Sequence, residues 1–184
     1  AAPEGVEIFS PECQDWWDEL PLSKLERACL LSDLNTLRFA RGEVERLEDC
    51  LKEQAGQDER VPLLVQISGI GYLTAITILA AIGDISRFPS SKQLVGYAGL
   101  GARVHDSGVS HTTGRITKTG RRDLRRAMVD AANQAVRHHP HWIEDFEKRQ
   151  PHLGRSKAVV AVARKLLVAV WYVLTNEQAD KFAD

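Results

Sequence analysis

A mainly all-α fold is what this chain predicts, and three observations predict it. Apolar residues recur at helical spacing over most of its 184 residues. No stretch alternates apolar and polar residues for long, so sheet is confined to nothing or to one small hairpin near 103–118. The glycines and threonines that would break helices crowd into one region, 101–120. Hydrophobic residues at 43% and charged residues at 27% suit a globular chain large enough to bury a core.

Residues 1–22 form an irregular segment with Pro3, Pro11 and Pro21 and adjacent Trp16 and Trp17, which dock on the chain or on a partner. From 23 to 56 the pattern is a long coiled-coil-like helix. Ser23 and Glu26 have capping-box spacing, and Leu30, Leu37, Val44 and Leu51 recur every seven residues beside Leu34, Ala40 and Leu47. Gly42 weakens that helix by only about 1 kcal/mol. A polar break at 56–60 separates it from a domain over 61–176.

Between Val61 and Ser86 there is no Lys or Arg and one acid, Asp84. Two apolar helices, near 61–67 and 72–82, flank Ser68-Gly69-Ile70-Gly71, which reads as a helix-hairpin-helix. Glycines at 69 and 71 permit a tight turn, and the N–H groups opening the next helix can bind a phosphate oxygen. A tight turn inside a buried hairpin explains the same residues without any ligand.

Ser90 or Ser91 can cap a short helix that closes at Gly99. Residues 101–120 then form a Gly/Thr-rich loop or small hairpin, whose composition lets a ligand approach backbone closely. A helix follows from Arg121 to about His138, with Leu124, Met128, Ala131, Ala132 and Ala135 on its buried stripe. Arg121, Arg122, Arg125 and Arg126 crowd its first turns, where cations oppose the helix dipole unless a polyanion lies against them. His138, His139 and His141 lack matching metal-ligand partners, and no metal site is expected. Trp142 to Lys148 is amphipathic, Pro151 to Gly154 reads as a turn, and a broad-faced core helix runs from Ser156 to about Asn176.

The net charge of −1 hides two poles. Residues 1–60 hold 15 acidic and 7 basic side chains, while Arg87 to Arg126 hold nine basic residues against Asp106 and Asp123. Charges act over a Debye length of roughly 8–10 Å, so the second segment can bind nucleic acid despite the neutral total. No run reaches the roughly 18 apolar residues of a membrane span. Cys13, Cys29 and Cys50 are odd in number with no CxxC pair, which suits reduced thiols and a cytoplasmic setting.

The run ISGIGYLTAITILAAIGDISRFPSSKQLVGYAGL, the pair Ser107-Gly108, and then GRITKTGRRDLRRAMVDAA resemble the C-terminal domain of DEDD-type bacterial insertion-sequence transposases, a superfamily that includes pilin-gene-inverting recombinases. The likeness covers about 61–174. The heptad helix suggests a homo-oligomer, and the likeness implies a DNA transposase or site-specific recombinase in a bacterial, nucleoid-associated setting, with DNA as partner and a bridge RNA as guide in some members. It also implies Ser107 as the nucleophile that attacks a phosphodiester, with Ser110 as the alternative. Gly69, Gly71, Arg103, Arg115, Lys118, Arg121, Arg122, Arg125 and Arg126 are then the nucleic-acid contacts.

Family members carry four metal-binding carboxylates in a RuvC-like domain. Glu4, Glu7, Glu12 and Asp15 sit in no strand-like context and are not assigned to that tetrad, so Mg2+ is expected only through a domain this chain lacks, and none within it. The chain then looks like a fragment of a longer recombinase or a truncated copy, and is expected to be inactive alone. One departure is Gly101-Ala102 after Leu100, where the family has proline, which predicts a looser approach to the Ser107 loop. Two other readings compete: a non-catalytic helix-hairpin-helix DNA-binding module, which leaves the ordered Ser-Gly and GRITKTG run unexplained, and an oligomerisation piece built on the heptad helix and Trp16–Trp17.

Overall fold

The computed structural model describes residues 7–10, 13–107 and 110–176, those from 102 to 115 as backbone alone. Pro3, Glu4, Pro11, Glu12 and Gly108 lie outside the described residues. The chain divides into two compact units, Ala1–Cys50 and Leu51–Asp184.

The first unit is built on α2 (Lys24–Ala55), which continues past the boundary, preceded by a five-residue helix α1 (Gln14–Asp18). The capping box forms: the Glu26 N–H donates to Ser23 Oγ at 3.3 Å, and the Ser23 N–H donates to Glu26 Oε2 at 2.9 Å. Hydrogen bonds from the Ser23 side chain and backbone hold the Glu26 carboxyl below its ordinary value.

The tryptophans dock on the chain itself. Trp17 stacks on Phe9 at 5.8 Å, meets Trp16 at 4.6 Å, and donates its indole N–H to the Ile8 carbonyl at 2.9 Å. Arg41 pairs with Glu7 and reaches the Phe9 carbonyl, and Arg27 reaches the Leu20 carbonyl. Leu34 is buried on α2, whereas Val44 and Leu47 remain 54% and 52% exposed.

In the second unit, α3 (Arg60–Val65) and α4 (Tyr72–Ile82) lead through a 3-10 turn (Ile85–Arg87) to α5 (Ser91–Tyr97). Strands β1 (Ala102–Ser107) and β2 (Ser110–Ile116) pair antiparallel in one small hairpin, within the region where the sequence allowed one. Then come α6 (Arg122–His138), α7 (Pro140–Leu153) and α8 (Arg155–Asn176).

The fold is mainly helical, and α8 is its axis, packed against α3, α5, α6 and α7, while α4 packs on α6. Leu64, Ile78, Leu94, Leu124, Met128, Leu166 and Leu167 are sealed in this core. By length and composition α8 is apolar enough to cross a membrane, although Arg164 and Lys165 interrupt its apolar residues; half of its most apolar window is buried inside the unit.

The expected turn at Pro151–Gly154 is instead the last turn of α7, which runs through Pro151. Proline there forfeits one N–H bond in the last turn, and the break comes at Gly154, with φ +76 and its N–H on the Gln150 carbonyl.

Candidate nucleic-acid interface

Between α5 and α6 the chain ties a corner from which the hairpin leaves. Gly99 has φ +69 and Gly120 has φ +151, conformations that a side chain would strain. A Cβ on Gly120 would lie 2.3 Å from the Tyr97 carbonyl oxygen, so only glycine lets these two stretches touch. Across the contact, the Arg121 N–H donates to the Tyr97 carbonyl at 2.8 Å, Thr117 to Gly101 at 2.9 Å, and Lys118 to Gly99 at 3.2 Å. Lys118 adopts φ +53, a left-handed geometry unusual for lysine.

The approach to the hairpin is therefore closed rather than loose. Leu100 is 1% exposed and donates its N–H to Val95.

In the hairpin, Ser107 and Ser110 are direct register partners at the end of the ladder, and Arg103 and Arg115 lie nearer its root. The register slips between Ala102 and Val104, leaving an extra residue on β2 near Gly114. Such a bulge twists the ribbon. The side chains of Arg103, Ser107, Ser110 and Arg115 are outside the described part of the structure.

Against the corner lies an open groove of about 710 Å³, lined by Tyr97, Gly120, Arg121, Arg122, Asp123 and Arg126. The four α6 arginines differ in what they touch. Arg121 is bound to Asp123 through its Nε at 2.9 and 3.0 Å. That guanidinium, followed by the Leu124 N–H, holds the Asp123 carboxyl below its ordinary value, and the Asp123 hydrogen bond in turn raises Arg121. Arg126 stands 3.7 Å from Asp130, with both side chains mostly in solvent, a pair worth little. Arg122 makes no hydrogen bond or ion pair among the described residues and is exposed. Arg125 is half-buried and donates to the Ala98 carbonyl at 3.0 Å.

The turn between α3 and α4 separates its two glycines. Gly69, with φ +85, faces α6: a Cβ there would sit 2.2 Å from the Ala131 carbonyl oxygen. Gly71, at the N-cap of α4, has nothing within 4 Å of its Cβ position. Tyr72 beside it is 53% exposed. The sequence reading missed Tyr97 and Asp123 as groove residues. The spacing of Gly99 and Gly120 around the hairpin was the signal that could have pointed to this corner.

Comparison with known proteins gives a consistent result. Residues 61–148 match the transposase IS116/IS110/IS902 family. The transposase for insertion sequence element IS1111A of Coxiella burnetii is 30% identical over 182 residues, covering 89% of this chain and 48% of that protein. The pilin gene-inverting protein of Moraxella bovis is 38% identical over 129 residues, covering 67% of this chain and 40% of that protein. A probable family 20 transposase of Pseudomonas aeruginosa is 28% identical, covering 85% of this chain and 46% of that protein. The chain thus spans about half the length, or less, of these relatives.

Proposed function

We propose, from the match of residues 61–148 to the IS116/IS110/IS902 transposase family, that this chain is the DNA-binding, serine-bearing part of a transposase or site-specific recombinase. In this reading the groove arginines hold DNA phosphates and Ser107 supplies the nucleophile. Its oxygen forms a bond to phosphorus, one P–O bond of the strand breaks, and the departing DNA oxygen keeps the proton balance by taking one up. The serine proton goes to a base that this chain's assigned residues do not include. The covalent phosphoserine link conserves bond energy for rejoining.

The observation that carries the reading is the groove: three arginines, of which Arg122 and Arg126 have little to neutralise them, beside the root of the hairpin that bears Ser107. Guanidinium groups suit phosphate, singly or bidentate. Among the described residues no three His, Cys, Asp or Glu side chains converge as a metal site, so these residues do not fit Mg2+.

The test is denaturing capture of a protein–DNA adduct in a transposase containing this chain. The adduct is expected with the native residue, and with Ser110→Ala, and is expected to vanish with Ser107→Ala. An adduct that persists in Ser107→Ala ends the assignment.

A non-catalytic helix-hairpin-helix reading draws on Gly71, whose open N-cap leaves the first N–H groups of α4 accessible to a phosphate oxygen. Binding without any adduct would favour it. We further propose self-association through α2, supported by the exposed heptad residues Val44, Leu47 and Leu51. Sizing the chain with and without residues 1–56 checks this, and a monomer in both cases removes it.

A further inference from the structure

We propose that Arg125 is a positioning residue and not a phosphate contact: it ties α6 to the end of α5 and so aims the hairpin that carries Ser107. The proposal rests on the reading of Ser107 as nucleophile for its consequence, though not for its geometry.

The four arginines at the start of α6 look alike in sequence, and one of them is turned inward. Arg125 Nη1 donates to the Ala98 carbonyl at 3.0 Å, a contact across 27 residues of chain. Ala98 is the C-cap of α5, at the end where backbone carbonyls lack intrahelical partners and carry the negative end of the helix dipole. The guanidinium lies so close to Gly99 that a Cβ there would stand 2.6 Å from Nη1. Gly99 is therefore what makes room for the arginine. Arg122 and Arg126, by contrast, are exposed on the groove.

The position of this tie gives it leverage. The strands of the hairpin contact chiefly each other. Their direction is thus set at the root, by the backbone bonds of Thr117, Lys118 and Arg121 to Gly101, Gly99 and Tyr97. Ala98 and Gly99 sit in the middle of that root. A strand of this length reaches about 20 Å at roughly 3.3 Å per residue. A tilt of about 10° at its base would carry the tip about 3 Å, several times the tolerance of roughly 0.5 Å for a reacting group. Loss of one side-chain hydrogen bond far from the phosphate can therefore cost about a hundredfold in rate.

Three readouts on Arg125→Ala, on Arg125→Met (which keeps the apolar stem) and on Arg125→Lys (which keeps a donor) test this. Hydrogen exchange at the Thr117, Lys118 and Arg121 amides is expected to quicken at least tenfold in the Ala and Met variants and to return towards the native rate with Lys. The salt dependence of binding to a short duplex is expected to be unchanged in all three, whereas Arg122→Ala and Arg126→Ala each lower the log–log slope by about 1. Adduct formation is expected to fall about a hundredfold in the Met variant, with duplex affinity held within about twofold, and to recover with Lys.

A slope that drops by about 1 in the Met variant, or unchanged exchange at those amides, overturns the proposal. If the native protein forms no adduct, the Ser107 reading fails on its own, and exchange and slope still decide the role of Arg125. If the Ala variant fails to fold, the Met and Lys variants carry all three readouts.

Discussion

Gly69 and Gly71 are two residues apart and share one motif, yet their surroundings differ in kind. Gly69 combines φ +85 with a carbonyl 2.2 Å from where its Cβ would be, and the obstructing atom is rigid helix backbone at Ala131. Gly69→Ala is expected to destabilise the fold by about 2–4 kcal/mol, from left-handed strain and overpacking together. Gly71→Ala meets open space at φ −90 and is expected to stay within about 0.5 kcal/mol. Urea midpoints of the two variants check the contrast, and equal losses would refute it. The sequence shows both glycines and their tight turn. It cannot show which faces a helix 62 positions on, because that depends on how α4 lies on α6.

Among the elements, the helices were legible nearly end to end, since a 3.6-residue period is a local property. The capping box at Ser23 was legible for the same reason, and Ser23→Ala is expected to cost about 1 kcal/mol of stability in thermal melts of α2. Pro151 misled because proline usually marks a break, and its cost is small where only one bond in a terminal turn is lost.

The tie between α7 and α8 was not legible. Asp145, 14% exposed at its side chain, takes hydrogen bonds from Arg149 at 3.0 Å and from Lys165 at 2.6 Å. Burial alone would raise its carboxyl, and those two bonds together outweigh it, so the group sits below its ordinary value of 3.8. A depressed folded value means the stabilisation is present above that ordinary value and is lost as pH falls through the lower folded one. Asp145→Asn is therefore expected to cost about 1 kcal/mol at pH 7 and to flatten the acid limb below about pH 4. Urea unfolding across that range measures both, and an unaltered acid limb would exclude this role for Asp145.

At the scale of the whole molecule, the charge poles explain how a chain of net charge −1 can have a basic groove. The double variant Arg122→Ala/Arg126→Ala is expected to lower the salt slope of duplex binding by about 2, because each phosphate neutralised contributes close to one released counterion. Fluorescence anisotropy over a salt series measures it; a slope unchanged by the pair would remove the groove from the interface.

The helical class, the region where a loop or small hairpin falls, the basic segment and the family resemblance were legible in the sequence, because composition and periodicity are carried by neighbours along the chain. Which arginine turns inward, which glycine is pressed on a helix, and that the hairpin root is tied rather than loose came from the tertiary structure. Those outcomes turn on where distant carbonyls fall, as Ala98 does beside Arg125 and Ala131 beside Gly69. A carbonyl leaves no mark in the sequence, since every residue has one.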